Sequence, residues 1–324
     1  MAKQQIHLLT TGGTIAMQAS AQGAGLGAPP PFREMLERAL LDIEVIVRPV
    51  LAKPSAGFTF ADIADIARAA QESAGQSAGV VVTHGTDVLE ETAFALELLT
   101  RSDTPIVVTG AMRLANQPSA DGDANLIAAC RVAGSSAARG KGVLVVFDDE
   151  IHWGPLVRKR HAFRTHAFSS EPFGPLGWVR EGAVRFTLAP ARRLPHLTWG
   201  GGAPAIPVLD VGPAMEASVL ERLEGCDALV LALPGGGHVA DSTTTVLERL
   251  AAKMPVVFAS RTGAGETLTR SYGYAGGEMD LIRRGLIPAG WLDGRKARVA
   301  LAILLSGGAS RADIAAFFCG MTSC

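Results

Sequence analysis

Two threonine-glycine segments are the part of this sequence best suited to chemistry. The first reads TTGGTIA at residues 10–16, and the second reads THGTD at residues 83–87. Each directly follows a short apolar run, and in an open parallel α/β sheet ligands bind beyond the carboxyl ends of the strands. Both segments can therefore deliver hydroxyl and backbone N–H groups into one crevice, which makes Thr14 and Thr86 candidates for nucleophilic or proton-transfer chemistry.

The first segment also has two non-catalytic interpretations. Gly12 and Gly13 permit tight backbone geometry after a strand and leave N–H groups free to face a ligand, as in a phosphate-binding loop. Neither the G-x-G-x-x-G nor the G-x-x-x-x-G-K-S/T spacing is present, which disfavours a nucleotide. A purely structural turn stays open as the second alternative.

The second segment needs a proton acceptor if its hydroxyl is to act. Thr86 or Asp87 followed by Glu90 fits a helix N-cap, so a structural role is one interpretation. The Asp87 carboxylate can equally anchor a substrate ammonium or orient a lysine, and a deprotonated lysine can accept a proton from threonine. The candidate is Lys159 in the run VRKR at residues 157–160, although such charge runs are typical of solvated surfaces.

Alternating strands and helices must position these residues. Short apolar runs predict buried strands at residues 6–9, 79–83, 105–109 and 143–147, and three- and four-residue spacing predicts helices at 61–73 and 88–101. This alternation predicts a doubly wound, mostly parallel sheet. Residues 17–31, rich in Ala, Gly and Pro, predict a loop beside the crevice that could act as a lid.

A second, smaller α/β domain is predicted after a change in composition. Residues 190–204 are rich in Pro, Gly and Arg, which indicates a linker. Strands are then predicted at residues 207–211, 228–233 and 255–259, and helices at 215–223, 243–253 and 311–318. We therefore expect a larger N-terminal catalytic domain at 1–189, a linker at 190–206 and a C-terminal domain at 207–324.

Composition favours a small-molecule partner. The 324 residues are 48% hydrophobic with a net charge of −1, which gives no electrostatic reason to expect nucleic acid or an anionic membrane. The apolar runs, such as residues 299–305, are shorter than the roughly 20 residues of a membrane helix. The N-terminus leads directly into the first glycine-rich turn, so we expect no signal peptide and a cytoplasmic location. The four cysteines, Cys130, Cys226, Cys319 and Cys324, show no metal-ligand spacing and are expected to be incidental thiols.

Several motifs together resemble the bacterial-type L-asparaginase (asparaginase/glutaminase) family. They are TGGTIA at 11–16, THGTD at 83–87 with EET at 90–92, GAMR at 110–113, SADG at 119–122 and KAR at 296–298. The resemblance covers essentially the whole chain. It implies hydrolysis of L-asparagine to L-aspartate and ammonia, with no metal or organic cofactor. A glutaminase-asparaginase and a low-activity amino-acid-binding relative are the alternatives, and the preference between asparagine and glutamine stays open.

The resemblance also implies roles for the two threonine segments. By motif position, Thr14 resembles the nucleophile that forms an acyl-enzyme. Thr86, Lys159 and Asp87 match a second group that manages protons, and Asp87 would also hold the substrate α-ammonium. The assignment of Lys159 is supported by FSS at residues 168–170, which follows at the distance that the family shows.

Further residues match the substrate-binding positions of the family. Ser55 resembles the serine that binds the α-carboxylate, although Ala56 stands where the family commonly has glutamine. Backbone N–H groups near Gly13 and Thr86 are the expected oxyanion donors. The Ala111 carbonyl is expected to receive the amide nitrogen.

The resemblance implies a homotetramer, built from two close dimers, with sites completed by a neighbouring subunit. Glu278 resembles the intersubunit glutamate, and a solvated surface glutamate is the alternative. The family's loop tyrosine is absent, because Ala and Gly occupy residues 24–25; Tyr272 and Tyr274 are candidates to replace it. His238 lies near a position where the family often has asparagine. It either contacts substrate or has its hydrogen bonds satisfied within the fold.

Overall fold

The computed structural model describes residues 3–20, 23–26 and 32–322. The chain divides into two compact units, Met1–His196 and Leu197–Cys324. Each unit contains its own parallel or mostly parallel sheet, which confirms the predicted two-domain α/β class with the larger sheet first. The predicted domain boundaries, and the assignment of catalysis to the first domain, stay predictions.

The first unit is built on an eight-stranded sheet in the described residues. Its strands, with two separate two-stranded pairs, are β1 (Gln4–Thr10), β2 (Met17–Ser20), β3 (Gly23–Leu26), β4 (Ile43–Pro49), β5 (Gly79–Thr83), β6 (Ile106–Thr109), β7 (Val143–Phe147), β8 (Glu150–Trp153), β9 (Arg158–Lys159), β10 (Phe168–Ser169), β11 (Gly177–Arg180) and β12 (Ala183–Phe186). Its helices are α1 (Phe32–Ala39), α2 (Phe60–Ala74), α3 (Leu89–Leu99) and α4 (Gly122–Gly134).

The sheet is parallel where the threonine segments lie. Strands β4, β1, β5, β6 and β7 run parallel, and β8, β11 and β12 continue the sheet antiparallel. The eight strands lie in the order β12-β11-β8-β7-β6-β5-β1-β4. Within this sheet the chain passes from β1 to its neighbour β4 on one side and then to β5 on the other, so the direction of winding reverses at β1. In doubly wound sheets the ligand crevice lies at such a reversal. The sheet order therefore puts the crevice beside the ends of β1 and β5.

Burial explains why the central strands were predictable and the outer elements were not. Every residue of β5, β6 and β7 is buried, because helices cover both faces of a parallel sheet and select apolar residues throughout. Helix α2 begins with a capping box formed by Thr59 and Asp62, which satisfies the first free N–H groups. Strand β4, helices α1 and α4, and strands β8 to β12 were not predicted.

The predicted loop at residues 17–31 is wrong in part. Residues Met17–Ser20 and Gly23–Leu26 pair as an antiparallel hairpin, while residues 21–22 and 27–31 lie outside the described part of the chain. Strand β3 reads GAGL, which has no alternation of apolar and polar residues. The pairing therefore rests on main-chain hydrogen bonds, and the sequence pattern does not predict it. The expected lid function stays a prediction.

The second unit has a four-stranded parallel sheet in the described residues, whose strands lie side by side in chain order. Its strands are β13 (Val208–Asp210), β14 (Leu229–Leu233), β15 (Val256–Ser260) and β16 (Ile287–Pro288), and its helices are α5 (Ala217–Glu221), α6 (Thr244–Lys253), α7 (Glu278–Arg283), α8 (Gly294–Ser306) and α9 (Arg311–Cys319). The apolar run 299–305 belongs to α8, whose Asp293 side chain caps it. Across the described residues, no helix has the length and apolar character that crossing a membrane requires.

Candidate active site

The two threonine segments leave the sheet side by side. Strands β1 and β5 pair in parallel up to Thr10 and Thr83. Beyond the strand end, the backbone N–H and the hydroxyl of Thr11 both donate to the carbonyl of Thr83, over 3.2 and 2.8 Å. The backbone N–H of His84 donates to the carbonyl of Thr109 over 2.8 Å. Main-chain pairing therefore continues past the strands and holds both segments at the same edge.

Gly13 and Gly85 bring the two segments into backbone contact. Gly13 has φ 84° and ψ 179°, a conformation that is essentially restricted to glycine. A Cβ on Gly13 would lie 2.4 Å from both the Cα and the N atoms of Gly85. Thr14 follows Gly13 in a short 3-10 turn, and Thr86 follows Gly85, so the two threonines emerge from a pair of touching residues.

Lys159 lies beside Thr86 and Asp87. Its Nζ atom is 2.9 Å from the Thr86 Oγ1 atom and 3.4 Å from an Asp87 carboxylate oxygen. Thr86 is buried, whereas the Asp87 side chain is 61% exposed and the Lys159 side chain 16% exposed. The exposed carboxylate is accessible to a ligand, while the hydroxyl and the amine are shielded. The three residues named from sequence are thus brought together, and their chemical roles stay a prediction.

The proposed capping role of Thr86 and Asp87 is wrong. Helix α3 begins at Leu89, and its N-cap residue is Val88, which makes no side-chain capping bond. Glu90 in the first turn instead accepts a hydrogen bond from the backbone N–H of Lys159. The carboxylate that suggested a capping arrangement therefore anchors the lysine segment.

Glu90 is a positioning residue that the sequence reasoning misassigned. Its side chain is buried, and it fixes the main chain of β9 at Lys159. Strand β9 also pairs with β10, where Lys159 is opposite Phe168, and the Phe168 ring packs on Phe147 at 4.7 Å between centroids. The lysine is consequently held by a carboxylate, a two-stranded ribbon and the core. The signal in the sequence was the EET motif one turn after THGTD.

Ser55 presents a buried hydroxyl to the same region. Ser55 opens a short 3-10 turn after β4 and is 1% exposed. A Cβ on Gly85 would lie 2.5 Å from its Oγ atom, so the hydroxyl lies against the second segment. Within the described residues this Oγ has no hydrogen-bond partner. Since a buried hydroxyl without a partner is unfavourable, the arrangement is suited to a polar ligand.

Ala111 follows β6 and is fully buried, and the preceding Gly110 lies beside Thr86. A Cβ on the preceding Gly110 would lie 2.5 Å from the His84 carbonyl oxygen and 3.4 Å from the Thr86 methyl carbon. Strand β6 is the neighbour of β5, and Ala111 is 0% exposed. The Gly110–Ala111 turn therefore forms the next wall of the crevice.

Asp121 and Asn125 hold this wall in place. The Asp121 carboxylate accepts the backbone N–H groups of Met112 and Arg113 over 2.9 Å each. The Asn125 amide donates to the Gly110 carbonyl over 3.0 Å. The SADG motif thus supplies a carboxylate that orders the main chain around Ala111, and Asn125, one turn later on α4, was not identified from sequence.

His84 is a neutral, buried histidine within the second segment. Its Nδ1 atom lies 2.6 Å from the Gly85 carbonyl oxygen, so we assign the proton to Nδ1, which donates to that carbonyl. Its ring meets Phe58 edge-on at 4.9 Å. Burial lowers the pKa of His84 from 6.5 to about 4. A charged imidazolium is thus excluded from the fold near neutral pH.

The low pKa of His84 predicts a loss of stability in mild acid. The unfolded chain binds a proton at His84 as pH falls through 6.5, whereas the folded chain does so only near pH 4. The contribution of neutral His84 to stability is therefore fully present above the unfolded pKa. Protonation of this one group should lower the free energy of unfolding by about 2 kcal/mol between about pH 8 and pH 5. Urea unfolding of the wild type and of His84→Asn, at both pH values, measures it. An equal pH dependence in the two proteins would contradict the assignment.

Glu278 and His238 lie together in the second unit. The Glu278 side chain is fully buried, and it accepts the backbone N–H groups of Ser271 and Tyr272 over 2.6 and 2.7 Å. Burial by itself would raise the pKa of Glu278, but these hydrogen bonds hold that pKa below its usual value. The alternative of a solvated surface glutamate is therefore wrong.

An aromatic cluster covers this glutamate. The His238 Nε2 atom lies 3.3 Å from the second Glu278 oxygen. The His238 ring meets Tyr272 and Tyr274 at 4.9 and 5.8 Å between centroids, and both tyrosines are about half exposed. This cluster brings together the four residues of the second unit that were identified from the sequence, which are His238, Tyr272, Tyr274 and Glu278. Whether they reach a substrate in a neighbouring subunit stays a proposal.

No group of three or more His, Cys, Asp and Glu side chains in the described residues is arranged to hold a metal ion. Cys130 is buried, and burial raises the pKa of its thiol to about 12. Cys324 lies outside the described residues.

Two family models match the chain in order. The model described as "Asparaginase, N-terminal" matches residues 5–192, and the model described as "Glutaminase/Asparaginase C-terminal domain" matches residues 205–318. The chain belongs to the asparaginase family. The first match contains Thr14, Thr86 and Lys159, and the second contains His238 and Glu278.

Full-length relatives in the asparaginase family agree with this membership. A "Probable L-asparaginase" of Deinococcus radiodurans is 38% identical over 323 residues, covering 97% of each chain. An "L-asparaginase" of Bacillus licheniformis is 32% identical, covering 94% of this chain and 96% of its own length. Among solved structures, the "Probable Cytoplasmic L-asparaginase from Campylobacter jejuni" superimposes with a TM-score of 0.86 at 28% identity, covering 98% of this chain and 99% of that chain.

Proposed function

We propose that this protein hydrolyses the side-chain amide of L-asparagine to give L-aspartate and ammonia. The observation that carries the proposal is the 2.9 Å contact between Lys159 Nζ and Thr86 Oγ1, with Asp87 beside it, next to the Gly13–Gly85 contact. A hydroxyl within reach of an amine is the geometry that general-base catalysis requires. Family membership and the names of the full-length relatives support the same reaction.

Thr14 is the proposed nucleophile. Its Oγ atom attacks the amide carbon while its proton is taken up, and the tetrahedral intermediate collapses as ammonia leaves with a proton, giving an ester on Thr14. Water then attacks the ester carbon and releases L-aspartate, returning the proton to the Thr14 oxygen. Thr86 and a deprotonated Lys159 are the proposed proton acceptors for attack by the hydroxyl or the water.

The remaining residues of the crevice are proposed to bind the substrate. The backbone N–H groups at Gly13 and Thr86 would donate to the developing oxyanion. Ser55 would donate to the α-carboxylate, the Asp87 carboxylate would accept from the α-ammonium, and the Ala111 carbonyl would accept from the amide nitrogen. The buried hydroxyl of Ser55 and the exposed carboxylate of Asp87 fit a zwitterionic ligand with one polar group in the pocket and one at its mouth.

Ser55→Ala is expected to weaken substrate binding without destabilising the fold. Losing a hydrogen bond to a charged group costs about 1.5–3 kcal/mol, which corresponds to a rise in KM of about 10- to 150-fold with little change in kcat. Because the Oγ atom has no partner among the described residues, its removal should leave the melting temperature unchanged or raise it. Steady-state kinetics and thermal unfolding test both parts. A lower melting temperature with an unchanged KM would assign Ser55 a structural role.

A glutaminase-asparaginase is the second candidate function, and the C-terminal family description names both activities. One methylene in a pocket changes binding by only about 1–3 kcal/mol. Ammonia release from L-asparagine and L-glutamine, compared as kcat/KM, decides between the two. Binding of both amides by folded protein without ammonia release would instead favour the amino-acid-binding relative.

We also propose a cytoplasmic homotetramer whose sites are completed across subunit interfaces. The resemblance to the family supports the tetramer and the shared sites, and the name of the Campylobacter jejuni structure, which includes the word "Cytoplasmic", supports the location. Strand β3 carries Ala24 and Gly25 where a tyrosine is usual, so Tyr272 and Tyr274, whose rings contact His238, are the proposed replacements. Light scattering gives the assembly size. Mixing Thr14→Ala subunits with Tyr272→Phe subunits tests whether a site that takes Thr14 from one subunit and Tyr272 from another recovers activity.

A further inference from the structure

Strand β4 is an unpaired edge of the large sheet. It pairs with β1 on one side, and no strand among the described residues pairs with its other side. Its sequence, IEVIVRP, contains three consecutive half-buried aliphatic residues, Val45, Ile46 and Val47. Native proteins usually protect such edges with charges, bulges or covering elements, because an apolar edge is a template for pairing with another chain.

The outward-facing backbone groups of β4 can be identified. The Gln4 N–H donates to the Asp42 carbonyl over 3.1 Å, and the Val50 N–H donates to the Thr10 carbonyl over 2.9 Å. Because backbone groups alternate in direction along a strand, the even-numbered residues direct theirs toward β1. Ile43, Val45 and Val47 therefore direct their N–H and C=O groups away from the sheet.

Among the residues that the structure describes, a groove borders the outer side of this edge. A groove of about 400 Å³ runs along five consecutive strand residues, Ile43 to Val47, with Lys3, Leu36 and Glu37 as its other lining residues. The groove is therefore formed by the strand that lacks a neighbour. An extended segment is the shape of ligand that such an edge accepts.

The β4 sequence is complementary to itself in the antiparallel direction. With a two-fold axis at Ile46, Glu44 opposes Arg48 of the second copy, and Val45 opposes Val47 of the second copy. The charged pair and Ile46 then share one face, where opposite charges across strands are favourable. Val45 and Val47 direct their backbone groups outward, as a hydrogen-bonded antiparallel pair requires, so the side-chain match and the backbone match select the same register.

Pro49 limits the pairing to the self-complementary part. It would oppose Ile43 of the second copy and has no N–H to donate, and proline is accepted at the ends of edge strands. The ladder of hydrogen bonds would consequently end beyond Val47. A longer pairing in a shifted register would lack the N–H donor at Pro49 and would separate Glu44 from Arg48 of the second copy.

We propose that β4 is a homotypic interface at which two copies of this chain pair antiparallel about a two-fold axis through Ile46. The two large sheets would then form one continuous sheet through both copies. An isologous contact of this kind closes on itself and does not propagate into a fibre. The pairing uses no residue of the catalytic crevice, so it is independent of the proposed hydrolysis.

Cysteine cross-linking tests the register directly. In a background with Cys226, Cys319 and Cys324 replaced by serine, Ile46→Cys places two sulfurs directly opposite each other across the axis. Mild oxidation should then give a disulfide-linked dimer on a non-reducing gel. The matched control, Val45→Cys, lies opposite Val47 of the second copy and should give little dimer, because its own counterpart is diagonal to it. No dimer from Ile46→Cys, or equal dimer from both, would overturn the proposal.

Charge reversal tests the same pairing without a covalent bond. In Glu44→Arg the substituted side chain opposes Arg48 of the second copy, and the two-fold axis repeats this repulsive pair. The variant should therefore lower the assembly mass in light scattering to about half. Arg48→Glu should do the same, and the double exchange should restore the mass. Single variants that keep the wild-type mass, or a double variant that does not recover it, would overturn the proposal. Circular dichroism confirms that each variant is folded.

Discussion

Lys159→Met is expected to remove nearly all hydrolysis of L-asparagine while leaving substrate binding largely intact. Methionine keeps the length of the side chain but removes the Nζ atom that lies 2.9 Å from Thr86 Oγ1. General-base catalysis contributes about 10²–10⁴-fold to rates, so kcat should fall by that factor while KM changes little. Coupled ammonia assays measure both constants, and isothermal titration measures binding to the inactive variant.

The matched control for this variant is Lys253→Met. Lys253 lies on α6 in the second unit and pairs with the exposed Glu224, so removing its charge should leave kcat and KM unchanged. A kcat for Lys159→Met within a factor of two of the wild-type value would contradict the assignment of Lys159 as a proton acceptor. A comparable loss in Lys253→Met would show that the effect is not local.

Gly13→Ala is expected to impair both stability and activity. The backbone conformation at Gly13, with φ 84° and ψ 179°, costs a residue with a Cβ about 1–3 kcal/mol. The new Cβ would also lie 2.4 Å from the Gly85 backbone, which cannot move aside as a flexible side chain can. The two threonine segments should separate, and since a shift of about 1 Å can cost about 10²-fold in rate, activity should fall at least that far.

Gly57→Ala serves as the control for this substitution. A Cβ at Gly57 meets no atom within 4 Å, although the residue lies in the same turn as Ser55. Thermal unfolding and ammonia release should therefore be close to wild type. Wild-type activity in Gly13→Ala would mean that contact between the two segments is not required for the site.

The central sheet could be predicted because its residues are buried on both faces. Strands β5 and β7 coincide with the predicted apolar runs at 79–83 and 143–147, since a strand covered by helices admits few polar residues. Strand β4 mixes Glu44 and Arg48 with aliphatic residues because it lies at an edge, and its pattern did not stand out. The β2–β3 hairpin has small residues and main-chain pairing, which side-chain periodicity does not report.

The candidate site was predictable in its residues but not in its supports. The resemblance to the asparaginase family predicted Thr86, Asp87 and Lys159 as a group, and the structure brings their side chains together. Glu90 was interpreted as a cap, because capping and anchoring use the same carboxylate at the same helix end. Only the fold brings residue 159 to residue 90, so the anchoring bond could not be inferred from spacing.

Ammonia release from L-asparagine by the wild type, Thr14→Ser and Thr14→Ala tests the central claim most directly. Serine keeps a hydroxyl at the proposed point of attack and should retain measurable turnover, whereas alanine should lower kcat by about 10⁴–10⁶-fold, as loss of a nucleophile does in other hydrolases. Folded Thr14→Ala that retains a tenth or more of the wild-type rate would contradict a threonine-ester mechanism at this residue.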